Sequence, residues 1–113
     1  GPINLTNAAL PHLKKSAAGR IICMASIGAH TGLNNNTLYC MTKGAMLLFT
    51  KSLAAELGNT NIRVNSISPG IFATPMNAKF VEDESKKAEV VKQVPIGRMG
   101  EPAELGGVVT FLA

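Results

Sequence analysis

The sequence predicts an α/β fold built on a parallel sheet, and three observations predict it. Residues 20–25 and 62–67 are two short apolar runs of strand length, rich in β-forming side chains. Between them, residues 37–57 repeat apolar side chains at helical spacing. Turn chemistry separates the three segments: Gly28, Gly32 and the asparagine run 34–36 before the helix, and Gly58 after it. Strand, helix and strand in this order make one βαβ unit, whose strands run parallel with a right-handed crossover.

Taken in order, residues 3–17 carry Ile3, Leu5, Ala8, Ala9, Leu10 and Leu13 near helical spacing, with Lys14 and Lys15 at the end. Pro11 is expected to kink or divide that helix. Residues 16–19 form a small-residue connection. The run 20–25 is continuous in its apolar character, as in a strand buried on both faces. Residues 27–36 form a loop, and Asn36 or Thr37 is placed to cap the next helix. That helix carries Met41, Ala45, Leu48, Phe49, Ser52, Leu53 and Leu57 as one broad apolar stripe. Its 21 residues (37–57) span about 31 Å. Pro69-Gly70 closes the second strand. Beyond it, Thr74-Pro75 starts a short helix through Phe80, residues 82–91 form an exposed, mobile, acidic helix, and residues 94–100 form a turn. Glu101-Pro102 opens a last helix with Leu105, Val108, Val109 and Leu112 apolar.

Length and composition bound the function. The 113 residues are enough for one small domain. At 46% hydrophobic and 16% charged residues the chain is neither disordered nor a membrane sequence. The net charge of +4 comes from scattered Lys and Arg, with no Trp and no basic–aromatic cluster, so no nucleic-acid partner is expected. No apolar run approaches the roughly 18 residues of a membrane helix. Cys23 and Cys40 form no Cys-x-x-Cys pair and read as free thiols of a reducing, cytoplasmic compartment. His12 and His30 lie far apart, and no metal site is expected. Gly1-Pro2 reads as a processing scar or a cut within a longer polypeptide.

The chemistry concentrates between Ser26 and Lys43. Tyr39 and Lys43 are four residues apart on the predicted helix, which sets them on one face, one turn apart. An ammonium beside a phenol favours the phenolate, and a phenol so held passes a proton to or from a substrate oxygen. Ser26 lies thirteen residues before Tyr39, at the end of the first strand, where its hydroxyl reaches the same oxygen. Ligands of open parallel sheets bind at the carboxyl ends of the strands. Ser26 and Pro69-Gly70 both fall there.

Together these residues resemble the second half of a short-chain dehydrogenase/reductase. The resemblance rests on Ser26, on Tyr39-x-x-x-Lys43, and on a strand ending in Pro69-Gly70 with Thr74 beyond. The text at 8–12, 61–65, 97–102 and 109–113 is also similar to that family, so the likeness covers essentially the whole chain. Each motif alone is weak; all of them at family spacing along one βαβ unit are strong.

The resemblance implies an α/β, partial Rossmann-like doubly wound parallel sheet. Residues 1–113 would be the C-terminal βαβ part of a single domain, with the N-terminal dinucleotide half missing. It implies an NAD- or NADP-dependent oxidoreductase that interconverts an alcohol and a carbonyl. In that reading Tyr39 is the general acid or base, Lys43 supports it and binds the nicotinamide ribose, and Ser26 orients the substrate oxygen. Pro69, Gly70, Ile71 and Thr74 hold the nicotinamide end. Phe72 and Met76 are substrate-pocket candidates within a lid over 71–92. The family's catalytic Asn falls before Gly1, and Asn4 is not assigned that role.

The flavour is closest to gluconate or sugar-acid dehydrogenases and to 3-oxoacyl-acyl-carrier-protein reductases. Family members associate through the helices matching 3–17 and 37–57, which implies a homodimer or homotetramer. The chain by itself is expected to be marginally folded and inactive. The alternative is a truncated, non-catalytic dimerising fragment.

Overall fold

The computed structural model describes the backbone of residues 1–113 and every side chain except that of Lys79. The chain divides into two compact units: Gly1–Ser68 with Leu112–Ala113, and Pro69–Phe111.

The first unit opens with α1, Pro2–Leu13. Pro2 suits a first turn, where a missing N–H costs nothing. Pro11 does not divide the helix, contrary to expectation; it sits in the last turn, so only one late hydrogen bond is forgone. The helix also ends four residues earlier than its pattern predicts. Lys15 N donates to His12 O and Ser16 N to Leu13 O, both at 3.1 Å, a tightened terminal turn. The Asn61 side-chain amide then holds the Ser16 carbonyl.

The two strands form as predicted, β1 at Arg20–Met24 and β2 at Arg63–Ile67, paired in parallel from Arg20↔Arg63 to Met24↔Ile67. Ala25 N donates to Ile67 O at 2.8 Å, one rung past the last pair. Gly19 admits β2 closely: a Cβ there would stand 2.9 Å from Ile62 Cγ1. Between the strands runs α2, Thr37–Glu56. Asn36 takes its N-cap position, but its side chain does not cap; the amide donates instead to Asn34 O at 2.8 Å. Asn35 takes a left-handed φ of 58°, a conformation Asn tolerates, and this turns the chain into the helix.

The predicted single stripe on α2 is two. Leu53 and Leu57 are buried with Ile62 and Val64, flanked by Phe49, Ala54, Leu10, Leu13 and Ile21. Leu38, Met41 and Leu48 point the other way, each more than 60% exposed. A helix of 20 residues turns through all directions about every 3.6 positions, so a stripe that broad must wrap past the face β1 and β2 cover.

The second unit is built mostly from short-range turns and caps, with one longer-range bridge. Thr74 precedes a 3-10 turn, Pro75–Asn77, that runs into α3, Ala78–Val81. Next comes α4, Glu84–Val91, capped by Asp83 Oδ1, which accepts from Ser85 N and Lys86 N at 3.1 Å each. The predicted acidic helix is exposed as expected, but it starts two residues later because Asp83 serves as its cap. A parallel bridge pairs Phe72 with Gly100: Ala73 N donates to Gly100 O at 2.8 Å and Gly100 N to Ile71 O at 2.9 Å. A capping box of Glu101 and Glu104 opens the 3-10 turn Pro102–Glu104, and α5 follows at Leu105–Leu112. Arg98 grips Glu104 with two hydrogen bonds, at 2.7 and 2.8 Å. That guanidinium first, and the Glu101 amide second, pull the Glu104 carboxyl down to about 2. Met99 is the one buried hydrophobic side chain of this unit among the described residues. No helix among the described residues is long and apolar enough to cross a membrane.

Candidate active site

Ser26 follows the last β1 rung in extended backbone, φ −171°, and is buried. A serine at a strand exit readily turns the chain by accepting from the amide two residues on. Here Ser26 Oγ accepts from Gly28 N at 3.1 Å, and the turn Ile27–Ala29 continues as 3-10 helix. The hydroxyl is thereby fixed by the backbone that follows it.

Tyr39 and Lys43 stand on the first turns of α2, as their spacing predicts. Lys43 Nζ lies 5.8 Å from the centre of the Tyr39 ring, at the outer range of a cation–π contact. The same ammonium donates to Met24 O at 2.9 Å. Met24 is the last residue of β1, so the lysine ties the start of α2 to the strand end that leads into Ser26.

Gly28 completes the link. A Cβ at this residue would meet Tyr39 Cε1 and Cys40 Sγ at 3.4 Å each and Leu33 Cδ1 at 3.1 Å. The glycine whose amide holds the serine hydroxyl is therefore also the surface on which the edge of the Tyr39 ring packs. Ser26, Tyr39 and Lys43 are brought together around one strand end and one turn. The cluster gathers a hydroxyl, a phenol and a cation within one strand end, one turn and one helix start.

The remaining sequence-predicted residues lie in the second unit. Ile71 O accepts the Gly100 amide, and Thr74 O accepts from Asn77 N at 2.8 Å. Pro69 and Gly70 run without regular structure, and nothing stands within 4 Å of a Cβ at Gly70. Phe72 packs its ring on Gly100, where a Cβ would come within 2.6 Å of it. Its carbonyl accepts from Asn77 Nδ2 at 2.9 Å. Met76 is 80% exposed and packs on little. Thr74 also borders a shallow, open depression shared with Ala73, Pro75, Ala78, Val81 and Glu82.

Sequence reasoning missed the Met24 carbonyl and Gly28. It also missed a hydrogen bond between His30 Nε2 and Ser68 Oγ at 3.0 Å. Gly28 carried a local signal, a glycine two residues past the strand-end serine. The other two arise only when distant segments meet.

A parallel βαβ unit with Ser26, Tyr39 and Lys43 gathered at one strand end is of the open, doubly wound α/β class. The chain belongs to the short-chain dehydrogenase/reductase family: the family model described as Enoyl-(Acyl carrier protein) reductase matches residues 1–113. It is 37% identical over 109 residues to the 5-keto-D-gluconate 5-reductase of Escherichia coli strain K12, covering 96% of this chain and 43% of that protein. It is 40% identical over 107 residues to a 3-oxoacyl-acyl-carrier-protein reductase of Chlamydia pneumoniae, covering 95% and 42%. The structure of a gluconate 5-dehydrogenase from Burkholderia cenocepacia, in complex with NADP and tartrate, superposes with a TM-score of 0.93 at 31% identity. That match covers 99% of this chain and 44% of that one. The chain thus spans less than half the length of these relatives. These matches bear out the partial Rossmann-like α/β reading.

Proposed function

We propose that residues 1–113 are the C-terminal portion of a single NAD(P)-dependent dehydrogenase/reductase domain that interconverts an alcohol and a carbonyl. The observation that carries this reading is the shared anchoring of Ser26, Tyr39 and Lys43 through Gly28 and the Met24 carbonyl. In reduction, Tyr39 donates its phenolic proton to the substrate oxygen as a C–H bond forms at the carbonyl carbon. The Lys43 ammonium, one turn away, supports the negative charge left on the phenol oxygen. Ser26 donates a hydrogen bond to the same substrate oxygen and turns the carbonyl toward Tyr39. In oxidation the proton returns to Tyr39.

The donor set fits a dinucleotide. A hydroxyl and an ammonium one helical turn apart suit the vicinal hydroxyls of a ribose, and Lys43 keeps two donors beyond the one given to Met24 O. Tyr39 and Lys43, with Pro69, Gly70, Ile71 and Thr74, would hold the cofactor. When bound, NAD(P)H supplies the hydride. Phe72 and Met76 would face substrate; Phe72 is committed on one side to Gly100, which leaves exposed Met76 the freer contact. The small polar ketones and thioester-linked ketones named for its relatives are the substrate classes to try. The free cysteines fit a cytoplasmic enzyme.

The test is a spectrophotometric screen of the native polypeptide with NADH and NADPH against 5-keto-D-gluconate and acetoacetyl thioester. Cofactor oxidation with one class is expected, and none with either cofactor on any ketone sinks the reading. Residues 1–113 in isolation are expected to show none.

A second reading has its own support. The exposed Leu38, Met41 and Leu48 of α2 and Ile3 and Leu5 of α1 favour self-association, as a homodimer or homotetramer. A truncated, non-catalytic dimerising fragment would use the same faces. Sedimentation of residues 1–113 separates the two: a stable dimer without turnover in the native polypeptide would favour the fragment.

A further inference from the structure

We infer that His30 and Ser68 form a clasp that positions the Ser26 turn, making His30 a positioning residue for the reaction proposed above, on which its catalytic consequence rests. The β1–β2 pairing ends at Met24↔Ile67, with one further rung from Ala25 N to Ile67 O. Beyond that rung the two chains part, β1 into Ser26 and β2 into Ser68. The turn after Ser26 is wound by short-range bonds: Ala29 N donates to Ser26 O and His30 N to Ile27 O, both at 2.9 Å. Those bonds hold the turn to itself, not to the sheet.

His30 is the residue that returns it. Its Nε2 shares a hydrogen bond with Ser68 Oγ at 3.0 Å, across 38 positions of sequence. Ser68 directly follows the Ile67 whose carbonyl accepts the Ala25 amide. Ser26 is therefore enclosed in a ring: fastened to β2 at its start through Ala25 and at its end through His30. Without the second fastening the turn is tied to the sheet by one rung and otherwise only rests on α2 through Gly28, so the Gly28 amide that orients the serine hydroxyl gains freedom. The bond forms with either imidazole tautomer, because the Ser68 hydroxyl both donates and accepts.

The test uses the native polypeptide and two readouts. Local opening of the turn is read from hydrogen exchange of the Gly28 amide. His30→Ala and Ser68→Ala are each expected to raise that exchange about tenfold, the upper range for one neutral hydrogen bond. The double variant is expected to do no more than either single one, because the two residues make one interaction. His30→Gln, whose amide reaches Ser68, is expected to restore protection to within about twofold of wild type.

In the same variants, turnover of 5-keto-D-gluconate or acetoacetyl thioester with NADPH is expected to fall in kcat by about three- to tenfold. KM should hold, with the same rescue by glutamine. Unchanged Gly28 protection in both alanine variants overturns the clasp, as does a His30→Gln variant that behaves like His30→Ala. If His30→Ala fails to fold, Ser68→Ala and His30→Gln decide the question. If exchange rises as expected in the alanine variants while the wild type is inactive toward both ketones, the enzyme reading is retired and the clasp stands.

Discussion

The two units are held together by different physics. In the first, Leu53, Leu57, Ile62 and Val64 are brought from α2 and the β2 segment into one buried cluster against residues of α1 and β1. In the second, one bridge between Phe72 and Gly100 spans the unit, and the rest of its order comes from caps and ion pairs between near neighbours: Asp83 on α4, Glu101 with Glu104, Arg98 with Glu104. Burial of apolar surface is collective and costly to lose, while exposed ion pairs are individually weak. The side chains that need fixed geometry, Ser26, Tyr39 and Lys43, stand on the first kind of construction. The proposed substrate-facing residues stand on the second, which suits a segment that must adapt to a ligand.

Substitutions break or sharpen this contrast. Ile62 is the largest fully buried side chain among the described residues. Ile62→Ala is expected to cost about 2–5 kcal/mol, measured by denaturant unfolding of the native polypeptide; a loss below 1 kcal/mol would mean the cluster is not the keystone of its unit. Gly100→Ala drives a methyl group into the Phe72 ring, 2.6 Å away, and is expected to cost about 1–3 kcal/mol. Its damage should be confined to amide exchange over residues 71–74 and 98–101, whereas that of Ile62→Ala should spread through the first unit.

Gly28→Ala is expected to cost only about 1 kcal/mol, since Leu33 Cδ1 is the far end of a flexible side chain. Tyr39 Cε1, at 3.4 Å, would be in ordinary contact with the new methyl group, so kcat should hold within about twofold while Leu33 shifts. The smallest effect is electrostatic. Glu104 is held down to about 2 from the ordinary 4.5, and its folded value lies below its unfolded one. Its contribution is therefore present above about 4.5 and lost as pH falls toward 2. Asp83, lowered first by its hydrogen bond to Lys86, has the same sign. Carboxyl NMR titration should show Glu104 titrating near 2, and Arg98→Gln should return it toward the ordinary value.

What the sequence disclosed follows the same division. Strands 20–24 and 63–67 and helix α2 were legible because burial imposes period and run length on many residues at once. The placement of Ser26 at a strand end and of Tyr39 and Lys43 on one helix was legible because each spacing is local to one element. The two faces of α2 were not separable, since Leu48 and Leu53 carry the same apolar signal and only the strands decide which is covered. Asp83 carried a cap signature that the acidic run around it masked. His30 with Ser68, and Phe72 with Gly100, join distant segments at isolated points, and no periodicity encodes such a meeting.

The central claim is that Tyr39 delivers the proton. Tyr39→Phe removes one oxygen and keeps the ring that packs on Gly28, so the melting temperature of the native polypeptide should hold. In that folded variant, kcat for NADPH-dependent ketone reduction is expected to fall by about a hundred- to ten-thousand-fold, the range for a positioned general acid. Turnover equal to wild type would contradict the account and remove Tyr39 from the chemistry.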